Sequence, residues 1–326
     1  MYPSTSSLKI FVLLLGDFLT NTRRQANWAL LLVTLLWGGT FIWMKQALDA
    51  SAALTPSLTE NDAAIFFVLM RFLIASAILP LVFTKARKGL LNISNWKSGS
   101  FLGVLIWGGF LLQMIGLTDV TPAVSAFLTS LYVVFTSLIA MLLTRRLLSL
   151  PAITGVFLAT IGAGWISGPP QINFGIGEWL TVACAFLFAA HIIATDRLTQ
   201  GKDAVGMTAT MLLTVTILSG ITQLVFGSND YSILVNLSLS PSFLIPLLCC
   251  AILGSIVALV LLMIHQRNLD PVHAAVLYAA EPVWAMLGSL AFGLEGELTV
   301  WLVFGASAIL VGNLVVQFSE YSDEEE

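Results

Sequence analysis

An acid followed by a proline inside an apolar stretch is the first place to look for chemistry in this sequence. Glu281 and Pro282 stand within the apolar run 271–293, about ten residues and so about 15 Å along a helix from its edge. A carboxylate at bilayer depth costs roughly 3 kcal/mol or more unless it is paired, protonated or wetted. The proline removes a backbone donor and so frees the carbonyl of Tyr278. Ala274, Leu277, Tyr278, Trp284, Ala285 and Gly288 recur at the spacing of three and four that puts them on the face of Glu281. Small residues mixed with two aromatics suit a cavity wall. Glu281 therefore reads in two ways. It receives a cationic group or a proton, with Tyr278 and Trp284 beside it, or it is a buried acid bonded to a neighbouring helix that holds a kink.

Three further side chains at depth could bind or titrate. Arg71 falls about 12 Å into its stretch and Lys45 about 26 Å along the first one, near its outer rim. As a pair they would attract a carboxylate or phosphate; alone, each could snorkel to headgroups, which suits Lys45 better than Arg71. His191 could titrate near neutral pH or simply pack. His265 and His273 flank a loop and read as interfacial. Gln113 and Asn313 are amides that glue helices or line a path. Trp28, Trp96, Trp179 and Trp301 sit at stretch ends, as an aromatic belt expects. Trp37, Trp43 and Trp107 are deeper and read as packing.

The elements that position these groups are ten apolar stretches, near 27–48, 63–84, 98–117, 122–143, 150–168, 176–196, 205–226, 242–264, 271–293 and 298–317. A helix needs about 20 apolar residues to cross a bilayer. The chain is 58% hydrophobic and 10% charged, with a mean hydropathy of +0.94, far from a soluble domain's roughly 25% charged residues. The expected fold is an all-α integral membrane protein of ten transmembrane helices. Of the 14 Lys and Arg, all but Lys45 and Arg71 fall in alternate connections: the leader, then 85–97, 145–146, 197–202 and Arg267. Basic loops are retained inside, so both termini are expected in the cytoplasm and the protein in an inner or plasma membrane. The three cysteines lie within stretches and suggest no disulfide framework.

Ten divides into five and five, and an odd number per half forces opposite orientations. The expected organisation is a leader, 1–26, two inverted five-helix repeats, 27–168 and 176–317, and an acidic tail, 318–326. Gly155 and Gly162 in the fifth stretch are echoed by Gly305 and Gly312 in the tenth. Gly99-x-x-x-Gly103 and Gly164-x-x-x-Gly168 suit close helix contacts. The connection 49–62 is small, polar and expected to be mobile. No Gly-x-x-x-x-Gly-Lys loop, His-Glu-x-x-His helix or Gly-x-Ser-x-Gly elbow occurs, which argues against ATP-driven pumping and hydrolysis by this chain.

Several segments together resemble the drug/metabolite transporter superfamily, in its ten-span EamA-type branch. They are Trp37-Gly38-Gly39-Thr40-Phe41 with Lys45, Arg71-Phe72-Leu73, Ser125-Ala126-Phe127-Leu128 with Tyr132, and Glu281-Pro282-Val283. The chain departs from that pattern at Thr144-Arg145-Arg146, where Gly-Glu-Arg is common, and at His191, where an aromatic is usual. The resemblance implies a non-enzymatic secondary transporter, often an exporter of amino acids or related metabolites, working by alternating access around a central cavity. Opposed charges at Glu281 and Arg71 would fit an ammonium and a carboxylate on one solute. The expected partners are a small metabolite and the lipid bilayer. No nucleic acid, cofactor or metal is implied, and a homodimer stays open. A receptor or scaffold, a channel, and a lipid-handling protein are the alternatives.

Overall fold

A computed structural model describes residues 23–144, 149–166, 174–269, 277–278, 280–295 and 298–324. The expectations for Arg145, Arg146, Gly168, His273, Ala274 and the leader up to residue 22 lie outside them. The described residues form helices and connections, with no strand.

In chain order the helices are α1 (Arg23–Leu54), α2 (Glu60–Val82), α3 (Thr84–Leu90), α4 (Ile93–Gly116), α5 (Pro122–Thr129), α6 (Tyr132–Thr144), α7 (Leu150–Trp165), α8 (Ile176–Thr199) and α9 (Ala204–Phe226). They continue with α10 (Tyr231–Leu239), α11 (Pro241–Cys249), a π-helical segment (Cys250–Val257), α12 (Ala258–His265), α13 (Glu281–Ala291) and α14 (Val300–Glu324). Among the described residues, seven helical stretches are long and apolar enough to cross a membrane: Gln25–Leu54, Glu60–Val82, Ile93–Gly116, Pro122–Leu143, Ile176–Thr199, Ala204–Phe226 and Pro241–Asn268. Leu150–Trp165 and Val300–Val315 are shorter apolar helices. Large apolar side chains such as Phe157, Ile217 and Leu224 face outward, while Thr, Ser, Asn and Gln side chains are buried. That distribution suits a molecule whose surroundings are hydrocarbon.

The first two helices meet more tightly than the polar composition of 49–62 suggests. Helix α1 runs on to Leu54 through Ala50, Ala52 and Ala53, strong helix formers. Thr59 then starts α2 with a capping box: its hydroxyl accepts from the Asp62 amide at 3.1 Å, and the Asp62 carboxylate accepts from the Thr59 amide at 3.2 Å. On the connection after α9, the exposed Asp230 caps α10. The Ser232 hydroxyl and the Ile233 amide both donate to its carboxyl and hold it below the usual carboxylate range.

Two seams of small residues bring helices to backbone contact. Along α7 and α14, a Cβ at Gly305 would lie 2.7 Å from the Gly162 carbonyl oxygen, and one at Gly312 would lie 2.6 Å from the Gly155 carbonyl oxygen. Gly162 meeting Gly305 while Gly155 meets Gly312 makes the two helices antiparallel. Gly99 and Gly103 of α4 lie against Thr210, Met211 and Thr214 of α9. Gly164 has open space where a Cβ would go, so the second small-residue pattern forms no close contact there.

Three spans lose regular helical geometry at depth. The fourth apolar stretch breaks between α5 and α6 at Ser130 and Leu131, and the eighth winds as a π-helix over Cys250–Val257. In the ninth, Leu277 and Tyr278 are helical, Ala280 is in a turn, and α13 begins only at Glu281. Pro282 at the start of α13 therefore opens a helix rather than kinking one, a position where its missing N–H costs little.

Candidate binding cavity

The breaks in the fourth and ninth stretches border one cavity with about 490 Å³ of empty space, counting the part that opens outward. Its wall takes Trp37 and Thr40 from α1, Ile106, Phe110 and Gln113 from α4, and Tyr132 from the first turn of α6. Phe188, His191 and Ile192 of α8 and Leu262 of α12 close another side. Tyr278 and Glu281 come from either side of the ninth-stretch break.

Glu281 is buried, at 5% exposure. Its Oε2 lies 3.1 Å from the Tyr132 hydroxyl, which also lies 3.1 Å from the Tyr278 carbonyl oxygen. That carbonyl is the one Pro282 cannot serve, so the tyrosine supplies the missing donor. Among the described residues no Lys or Arg pairs with Glu281, the ion pair present being Lys45 with Asp49. The acid stands in the first turn of α13, where the helix dipole favours negative charge. The Tyr278 hydroxyl donates to Gln266 Oε1 at 3.0 Å, and Gln266 Nε2 donates to the Ile192 carbonyl at 3.3 Å. Trp37 and Tyr132 both bring their rings close to Tyr278, at centroid separations of 6.1 and 6.3 Å.

The other irregular backbone is satisfied in the same manner. Asn313 of α14 donates to the Ser130 carbonyl at 3.3 Å and lies 3.1 Å from the Ser130 hydroxyl, so it closes the α5–α6 break. Gln113 donates to Thr129 beside it. In the π-helical segment, the Gly254 carbonyl accepts from Trp37 Nε1 at 3.1 Å. The first turn of α5 is capped by Thr121 and by Glu295, whose Oε1 accepts from the Ala123 amide at 2.8 Å.

The six residues singled out from sequence separate. Glu281, Tyr278 and His191 line the cavity together. Arg71 does not. It is 1% exposed, with Nε donating to Ser255 at 2.8 Å and the guanidinium 4.3 Å from the centroid of Phe110, a wall residue. Its Nη2 has no partner. Lys45 pairs with Asp49 at 3.1 Å, one turn along α1, and stands away from the lining. Trp284 is 38% exposed and sets its Cβ against Gly38 of α1 on another face of α13. Sequence reasoning took Trp37 for packing, named Thr40 only within a motif, and passed over Ile106, Phe110, Phe188, Ile192 and Leu262. Tyr132 appeared there only within a motif.

Spanning helices wrapped around a buried, partly polar cavity define a multi-pass membrane protein with an internal binding chamber. The EamA-like transporter family model matches the chain twice, over residues 24–168 and 175–318, and the chain belongs to that family, within the drug/metabolite transporter superfamily. An uncharacterized transporter of Archaeoglobus fulgidus is 29% identical over 294 residues, covering 90% of this chain and 86% of its own length. A solved crystal structure aligns with a TM-score of 0.62 at 18% identity, over 90% of this chain and 96% of its own, a likeness of fold. Setting the two matched stretches side by side offers the signal that single-residue reading lacked. Counted from the first residue of each stretch, Trp37 falls with Phe188 and Thr40 with His191, and all four line the cavity.

Proposed function

We propose that this membrane transporter is a secondary carrier, moving a small amine-bearing metabolite out of the cell by alternating access around the cavity at Glu281. The observation that carries this reading is the carboxyl itself: buried, facing a cavity, and without a cationic partner among the described residues. Such a group awaits either a proton or a cation. Exchange follows if one excludes the other, so that solute leaves as a proton enters.

In this reading the two family-matched stretches are five-helix repeats of opposite orientation, with both termini in the cytoplasm of an inner or plasma membrane. The antiparallel seam of α7 and α14 supports it, because these helices hold corresponding places in the two stretches. Breaks at corresponding places, before Tyr132 and before Glu281, support a substrate site at the repeat interface. Of the amino-acid-like solute expected from sequence, the ammonium end has a receiver in Glu281. The carboxylate end would need Arg71, which stands behind Phe110.

The test is uptake and efflux in reconstituted vesicles across a metabolite panel, with and without a pH gradient. A carrier shows saturation and counterflow, a channel neither. Movement of every solute at the rate of empty vesicles would refute the carrier.

A further inference from the structure

Resting on the carrier reading, we infer that the cavity selects organic cations, amines above all, and does not require a carboxylate on the solute. The argument comes from which hydrogen-bonding atoms of the wall are already engaged. An ammonium offers donors and no acceptor, whereas a carboxylate offers acceptors and no donor.

The wall's donors are almost all occupied within the protein. Trp37 Nε1 serves the Gly254 carbonyl, the Thr40 hydroxyl serves the Trp37 carbonyl at 2.7 Å, and Gln113 Nε2 serves Thr129. The Tyr132 hydroxyl lies between Glu281 and the Tyr278 carbonyl, and the Tyr278 hydroxyl serves Gln266. The His191 imidazole, 3.5 Å from the Thr195 hydroxyl, and the second N–H of Gln113 remain. Acceptors, by contrast, are left over. Gln113 Oε1 is buried without a partner, and only one of the two Glu281 oxygens is engaged by Tyr132. The remaining wall is dominated by the rings of Trp37, Phe110, Tyr132, Phe188 and Tyr278. Aromatic faces attract cations and disfavour anions. A carboxylate here would meet an acid, five rings, one histidine and one amide N–H. An ammonium would find a carboxyl oxygen, the unpartnered Gln113 oxygen once its side chain turns, and a ring of aromatics.

The decisive comparison needs no variant. Phenethylamine and phenylalanine differ by one carboxylate, and their binding to purified protein in detergent can be measured by calorimetry. The amine is expected to bind at least tenfold more tightly. Glu281→Gln is expected to weaken amine binding at least tenfold, and Trp37→Phe, which keeps a ring, to weaken it less than Trp37→Ala. Phenylalanine binding as tightly as the amine, or amine binding unchanged in a folded Glu281→Gln protein, would overturn the inference. So would failure of the wild-type protein to bind any amine. Vesicle flux separates this failure from that of the carrier reading. Transport of anionic or neutral solutes with no amine transport overturns cation selectivity and leaves the carrier. Tight amine binding with no flux of any solute leaves the selectivity and overturns the carrier.

Discussion

At the residue scale, two buried ionisable groups have different surroundings and should respond differently to mutation. Glu281 faces the cavity, so Glu281→Gln is expected to abolish acceleration of efflux by external acid while leaving solute exchange, and Glu281→Asp to keep part of both. Vesicle flux at several external pH values checks this. Wild-type pH dependence in the amide variant would leave Glu281 as a packing residue. Arg71 is off the cavity, held by Ser255 and by ring contacts. A buried charge with no ionic partner contributes little net stability, so Arg71→Met is expected to unfold in detergent at or above the wild-type temperature. Ser255→Ala strands the guanidinium Nε and should cost about 1–3 kcal/mol. Glu281 was legible in the sequence as a candidate because a carboxylate in an apolar stretch stands out by itself. Trp37, Phe110 and Phe188 were not legible. Aromatic side chains of an all-round apolar helix look alike whether they face lipid, core or cavity.

At the scale of elements, the seams and breaks carry the specificity of the fold. Gly162→Val would drive a branched side chain into the Gly305 backbone, with even a Cβ only 2.6 Å from its carbonyl oxygen. A loss of several degrees in thermal stability is expected. Gly164→Ala, with open space at its Cβ, is the control and should change nothing. Asn313→Leu removes the donor that closes the α5–α6 break. It is expected to cost about 1–2 kcal/mol, at the upper end for a hydrogen bond between helices in a membrane, as thermal unfolding can measure. Apolar run length announced where helices would lie, whereas the glycines of the α7–α14 seam were legible only as an echo between the halves. The interruptions at Ser130 and over Cys250–Val257 were not announced. No proline stands in them, serines such as Ser130 and Ser255 are common in these spans, and their partners, Asn313 and Trp37, lie far away in sequence. Only Pro282 flagged its break from within.

At the scale of the whole molecule, the charge pattern and the geometry make separate statements. Impermeant reagents applied outside intact cells are expected to reach cysteines placed at Asp230 or Asn229, and not at Lys202 or Arg87; the reverse pattern would invert the proposed topology. The geometry says something the charges do not. Side chains reach across to the irregular backbone from the opposite family-matched stretch. Asn313 serves Ser130, Tyr132 serves Tyr278, Trp37 serves Gly254, and Glu295 serves Ala123. Each stretch thus carries peptide groups to which its counterpart supplies side-chain partners, and hydrocarbon supplies no substitute. Expressed alone, either stretch should be inserted and then degraded; expressed together as separate chains, the two should rescue each other. The two stretches are mutual chaperones, and each is a native structure only in the other's company.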